Sequence, residues 1–354
     1  GRALTDRDTP LARRAVEAIE RTAGPNQLWD RSGGAGPLAE ALGYPSRRVQ
    51  YDAALALAAS MPAREFTGSN RVIPTLTSAL RFSGQKFAVV LSESQEQYSS
   101  VRGVLEERGY TVLPFGSAVA EIAEPLVAVP GVDLIVVQAA PNATTELINS
   151  VRNEASLAAA PLLALAPTPE LPRLRRAYDA DASVAVRSLG IGDSGLASTL
   201  DALVDQAAGG EISAEEARDY AERSVRVLRD LAVASNEVLS VADATTSLVS
   251  ALVEADGPIR LEIAEVLSMI DRPEAQQTLA QAVFDAAGSE RVSLLDSLAG
   301  SARRHGNLLD QPLIDRLIEL AETGADEEAT GAAAVIGALG LSQRDLVRLI
   351  LAEG

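Results

Sequence analysis

The chain has no cysteine and a single histidine in 354 residues. The first absence excludes disulfides, thiolate metal sites and thiol catalysis together, and leaves the redox compartment open. With His305 alone, the familiar Ser-His-Asp and Cys-His sets and the usual zinc sites are excluded as well. Aromatic residues make up only 3% of the chain, so its cores must be built from Ala, Leu, Val and Ile. Basic residues are scarce: 31 Lys and Arg stand against 49 Asp and Glu, for a net charge of −18. Such a field repels phosphate backbones and anionic lipid, so neither nucleic acid nor a membrane is an expected partner. Long apolar runs are missing too. The stretch SLAAAPLLALAPTP (156–169) has 14 uncharged residues and is broken by prolines, where a membrane-spanning helix needs about 20. No signal peptide is visible. Gly1 is compatible with a cloning remnant, which leaves the natural N-terminus open. These absences point to a soluble, cytoplasmic protein.

What is present is helix, then alternation, then helix. At roughly 150 residues per domain the length suggests two or three domains. Residues 9–82 read as helices, with Thr9 as an N-cap and Pro10 in the first turn of the first one. After residue 84 the period changes. KFAVVLSES, TVLPFGS, VDLIVVQAA, APLLALAP and SVAVRSL read as five short strands, each followed by a helical pattern. Five strand–helix alternations predict a parallel sheet covered on both faces, with continuously apolar strands. From Glu211 onward the pattern is helical again and falls into pairs. The second helices of the pairs align as RLEIAEVLSMI, RVSLLDSLAGS and ATGAAAVIGAL, starting at Arg260, Arg291 and Ala329. Hairpins of this kind bury their faces only by stacking.

The helical parts resemble HEAT repeats, through DGPIRLEIAEVL (256–267), the similar PSRRVQYDAALALA (45–58) and RVIPTLTSAL (71–80). A generic helical bundle is the alternative. The central part resembles a response-regulator receiver domain. In that family the third strand ends in the aspartate that accepts the phosphoryl group; DLIVVQ (133–138) has Gln138 there. An amide forms no acyl phosphate and binds Mg²⁺ weakly. The family's acidic pair follows the first strand, where this chain offers Leu91 and Ser92, or Ser92 and Glu93. The hydroxyl of the fourth strand is replaced by Ala166, and the Lys-Pro of the fifth by Arg187 and Ser188. The resemblance therefore implies a module that cannot be phosphorylated. A flavodoxin-like domain without receiver ancestry is the alternative.

Other motifs read more plainly. GIGDSG (190–195) matches G-x-G-x-x-G but follows the last strand, and Asp193 reads as a helix N-cap. SGGAG (32–36) lacks the Gly-Lys-Ser/Thr of a P-loop, and Trp29 reads as a packing residue. Acid pairs such as Glu106/Glu107, Glu215/Glu216 and Glu327/Glu328 are adjacent, and neighbours on a helix do not converge. No catalytic, cofactor or metal residue is assigned. In LPRLRRAYD (171–179), Arg173, Arg175, Arg176 and Tyr178 stand out in an acidic chain. The receiver resemblance implies a protein-docking patch there; a solvated helix face is the alternative.

The expectation is an α/β plus all-α protein. A helical, HEAT-like segment (1–83) precedes a five-stranded parallel receiver-like sheet (84–209), and HEAT-like hairpin repeats follow (210–354). Its function is expected to be a non-enzymatic interaction scaffold or signalling adaptor, with protein partners and no cofactor. The alternative is a sensor of a small anion or nucleotide at the C-terminal edge of the sheet, using Arg187 and the GIGDSG turn.

Overall fold

The structure is a computed structural model. It describes residues 1–5, 9–22, 36–44, 46–81, 85–129, 131–139, 143–154, 157–158, 160–210 and 212–341. Trp29 and residues 32–35 of the SGGAG stretch lie outside the described residues.

The chain begins with helices α1 (Arg2–Thr5), α2 (Thr9–Thr22), α3 (Pro37–Ala41), α4 (Arg47–Ala59) and α5 (Ser69–Arg81). Strands and helices then alternate: β1 (Lys86–Ser92), α6 (Gln95–Glu106), β2 (Tyr110–Val112), α7 (Ala123–Ala128), β3 (Leu134–Gln138), α8 (Thr144–Asn153), β4 (Leu162–Ala166), α9 (Leu171–Tyr178), β5 (Val184–Ser188) and α10 (Asp193–Ala208). The rest is helical: α11 (Ala214–Val233), α12 (Thr245–Glu254), α13 (Gly257–Leu267), α14 (Pro273–Asp285), α15 (Gly288–His305), α16 (Gln311–Thr323) and α17 (Asp326–Leu339). The expected mixture of one parallel sheet with surrounding helical segments is what the fold contains. Two compact units divide the chain. The first takes Gly1–Ser60, Phe66–Arg71 and Phe82–Asp219; the second takes Met61–Glu65, Val72–Arg81 and Tyr220–Gly354.

In the first unit, five parallel strands lie in the order β2-β1-β3-β4-β5. Their side chains alternate between two separate cores. Val89, Leu91, Ile135, Val137, Leu162, Ala164 and Val186 face one, with Ile148 of α8 and Leu174 of α9. Val90, Leu134, Val136, Leu163 and Leu165 face the other, with Val101 of α6 and Leu200 of α10. Burial on both faces is why the inner strands β1, β3 and β4 read as apolar runs, while the edge strands β2 and β5 are partly exposed. The second strand is shorter than expected. It stops at Val112, and the chain rejoins the sheet only through a bridge from Gly116 to Leu91. Pro114 between them has no N–H to give to a ladder.

The helices α2–α4 of this unit are tied to its α/β part by charge. Arg47 of α4 pairs with Asp133 at 3.0 Å. The other oxygen of Asp133 accepts the Phe87 N–H at 2.8 Å, which fixes the start of β1 against β3. Thr9 does not cap a helix by its side chain. It is buried, and its hydroxyl meets the Tyr44 hydroxyl at 3.0 Å and donates to the Ala207 carbonyl. Asp193 is likewise no N-cap; Gly192 holds that position and Asp193 is the first helical residue. There its charge still favours the helix N-terminus.

In the second unit, α12/α13, α14/α15 and α16/α17 form antiparallel hairpins. The first helices stack in the order α12-α14-α16, and the second in the order α13-α15-α17. Two hairpins turn on glycines in the left-handed region, Gly257 (φ 57°) and Gly288 (φ 60°), where a side chain would be strained. The third uses Gly324 with φ −70° instead. The fourth residue of one second helix reaches the third residue of the next. Arg260 pairs with Glu290 at 2.9 Å, and Arg291 with Glu328 at 2.6 Å. At the corresponding place α17 carries Ala329. Gln276 of α14 is fully buried and holds the loop after α15. Its Nε2 donates to Ser301 Oγ and the Gly306 carbonyl, both at 3.1 Å, and its Oε1 accepts the Leu308 N–H at 2.7 Å.

Candidate functional site

Two places on the sheet bear on function: its C-terminal edge and its β5 side. A parallel sheet presents its strand ends together on one edge, and ligands of such sheets bind there. Here the ends are Ser92, Gln138, Ala166 and Ser188. Ser92 is the register partner of Gln138, and Ala166 that of Ser188. Ser92 is fully buried and engaged in the turn into α6. Its Oγ donates to the Ser94 carbonyl at 3.2 Å and accepts the Ser94 N–H at 3.3 Å. Gln138 is 6% exposed, and its Oε1 is buried with no hydrogen-bond partner. Thr144, in the first turn of α8, is also fully buried with an unpartnered hydroxyl. Ala166 contributes a methyl group. Glu93 lies one residue past β1 and is exposed. The strand ends thus present an amide, hydroxyls and a methyl, and no carboxylate. They can exchange hydrogen bonds but hold no activated nucleophile. Among the described residues no three His, Asp or Glu side chains gather as metal ligands would.

The β5 side is different. A cleft of about 290 Å³ runs beside this outermost strand, floored by Val184–Arg187. One wall is α9 with its C-cap, through Arg175, Tyr178 and Asp179; the other is α10, through Thr199, Ala202, Leu203 and Gln206. Asp181 and Ala182 close the end nearest the start of β5. The structure therefore brings Arg175, Tyr178 and Arg187 together, while Arg173 and Arg176 lie on exposed parts of α9 outside the lining. The α10 wall was not singled out by sequence reasoning. Its signal was there: residues 199, 202, 203 and 206 share one helical face. Residues 190–195 take no part in the cleft, and Arg187 Nη1 donates to the Val186 carbonyl at 3.0 Å.

No family model matches the chain, and neither a curated protein nor a solved structure matches it. Among the described residues no helix is long and apolar enough to cross a membrane.

Proposed function

We propose that the protein is a non-enzymatic interaction scaffold. In this reading the sheet is a receiver-like module that cannot be phosphorylated, and the stacked hairpins are HEAT-like repeats. The observation that carries it is the pairing of Gln138 with Ser92 at the strand ends, where a phosphorylatable receiver needs carboxylates. The strand order 2-1-3-4-5 supports the receiver-like reading. The two stacked helix rows with their Arg–Glu steps support the repeat reading. Partners dock on the face made by α9, β5 and α10. Arg173, Arg175 and Arg176 have no hydrogen bond or ion pair among the described residues, and Arg with Tyr is a favoured interface composition.

The test is affinity capture from the source organism's lysate, comparing the wild type with an Arg173→Glu/Arg175→Glu/Arg176→Glu variant of equal folding. A specific protein lost in the variant supports the docking face. A partner held equally by both moves the binding surface to the repeats. Formation of a stoichiometric phosphoaspartate would overturn the reading.

A further inference from the structure

We infer that the cleft beside β5 takes an extended acidic peptide as a sixth strand of the sheet, and that Arg187 makes this pairing depend on acid. The inference rests on the docking face proposed above and names what binds there.

The open edge can be read from the ladder. The Leu162 N–H donates to the Ser183 carbonyl at 2.8 Å, and the Leu189 N–H donates to the Ala166 carbonyl at 3.0 Å. Odd-numbered residues of β5 therefore face β4. In a parallel ladder the intervening residues turn their backbone groups the other way. Val184 and Val186 thus present theirs to the cleft. The Val184 N–H is already used, donating to the Asp181 carbonyl at 3.0 Å. The Val184 carbonyl and the Val186 N–H remain, in a groove floored by four consecutive strand residues and walled by two helices. Unpaired edges of this kind recruit peptides by strand addition.

One acceptor on this edge is covered. The Arg187 guanidinium folds over the Val186 carbonyl. That bond is to a neutral group. A carboxylate offers the guanidinium an opposite charge and two parallel hydrogen bonds in place of one. An acidic side chain of an incoming strand therefore draws Arg187 off and releases the Val186 carbonyl for pairing. An apolar or basic peptide leaves it covered. Arg175 on the opposite wall adds a second cation without an ion pair among the described residues. Two acids, Asp179 and Asp181, also line the cleft. Asp181 accepts the Ser183 N–H and hydroxyl at 2.9 and 2.6 Å, and Asp179 makes no ion pair with Arg175. Both lie at the end of the cleft away from Arg187.

The probe is a synthetic peptide of about eight residues alternating Val and Glu, so that the acids share one face. It is titrated into the full chain by fluorescence anisotropy, with hydrogen exchange read at the Val186 amide. Binding is expected together with protection of that amide. A copy N-methylated at alternate residues is expected to bind about tenfold more weakly or worse. A Val/Lys peptide is expected not to bind, and Arg187→Gln should narrow the preference for Val/Glu over Val/Thr. Equal binding of the N-methylated copy would overturn strand pairing and leave charge attraction alone. Absence of binding at millimolar peptide would also overturn it. If a cellular partner is still captured through the α9 arginines in that case, strand addition fails while the docking face stands. Loss of both removes the face itself.

Discussion

Arg48 grips Glu216 with both arms of its guanidinium, Nε to Oε1 at 2.6 Å and Nη2 to Oε2 at 2.7 Å. The third nitrogen donates to the carbonyls of Gly209 and Gly210, at 3.2 and 2.8 Å. One buried side chain of α4 thus covers two carbonyls of the turn that follows α10 and fixes the start of α11. Arg13 of α2 stands 3.7 Å from the same carboxylate. Removing Glu216 strands a buried cation; removing Arg48 strands the turn carbonyls of Gly209 and Gly210. Either Glu216→Ala or Arg48→Ala is expected to destabilise the first unit by about 2–3 kcal/mol. Urea melts read on a probe in that unit check this, and a cost below about 0.5 kcal/mol would show the grip to be a solvated surface pair.

The same carboxylate sets an acid limit. The hydrogen bonds from Arg48 are the main cause holding the Glu216 pKa below the ordinary 4.5, and burial opposes them. Glu328 is also held low, first by the Gly288 N–H and then by Arg291. A folded pKa below the unfolded one means that the unfolded state binds protons first as pH falls. The stabilisation is complete above the unfolded value and fades as pH drops through the depressed folded values. Melting temperature should therefore be flat from neutrality to about pH 5 and fall below it. In Glu216→Gln the acid slope should be shallower. An unchanged slope would remove Glu216 from the acid transition.

Gln138 is an orphan acceptor in the core, and this makes its replacement unusually informative. Gln138→Met keeps the shape and removes the unpaired oxygen, so it should leave stability unchanged or raise it by about 1 kcal/mol. Gln138→Asp places a buried carboxylate in the same apolar wall. Burial raises the pKa of such a group, so the variant should be destabilised by about 1–3 kcal/mol at pH 7 and recover as pH falls. It should gain no acyl phosphate from acetyl phosphate, because Ser92 and Ala166 supply no further ligand. A destabilising Gln138→Met would instead place a bound water or ligand at Oε1.

The sheet was legible because its inner strands β1, β3 and β4 are buried on both faces and read as short apolar runs such as LIVVQ between turn signals. The hairpins were legible from their apolar spacing, and the starts at Arg260, Arg291 and Ala329 do occupy one shared position, the fourth residue of each second helix. What pattern alone could not give was partnership across the chain. Asp133 reads as the polar lead of an apolar strand, yet it bridges Phe87 and Arg47. Thr9 has the composition of a cap, but its hydroxyl is spent on Tyr44 and Ala207. The cleft needed two helices at opposite sides of β5. Sequence exposed the arginines of one wall and hid the other, because Thr199, Ala202 and Gln206 look like any helix flank.

Gln276 offers the sharpest test within the repeats. It is a polar side chain with no exposed surface, held by three hydrogen bonds to Ser301, Gly306 and Leu308. Its amide does what a backbone partner would do for the loop between α15 and α16, where the Leu308 N–H has no helix to enter. Gln276→Leu keeps the volume and removes both ends of the clamp. The loss should be about 2–4 kcal/mol, since a donor and an acceptor of the loop are left unmade. Hydrogen exchange should speed up first at Leu308 and Leu309, before the α14–α15 contact loosens. Uniform acceleration across both helices would show that Gln276 holds the hairpin itself and not the loop.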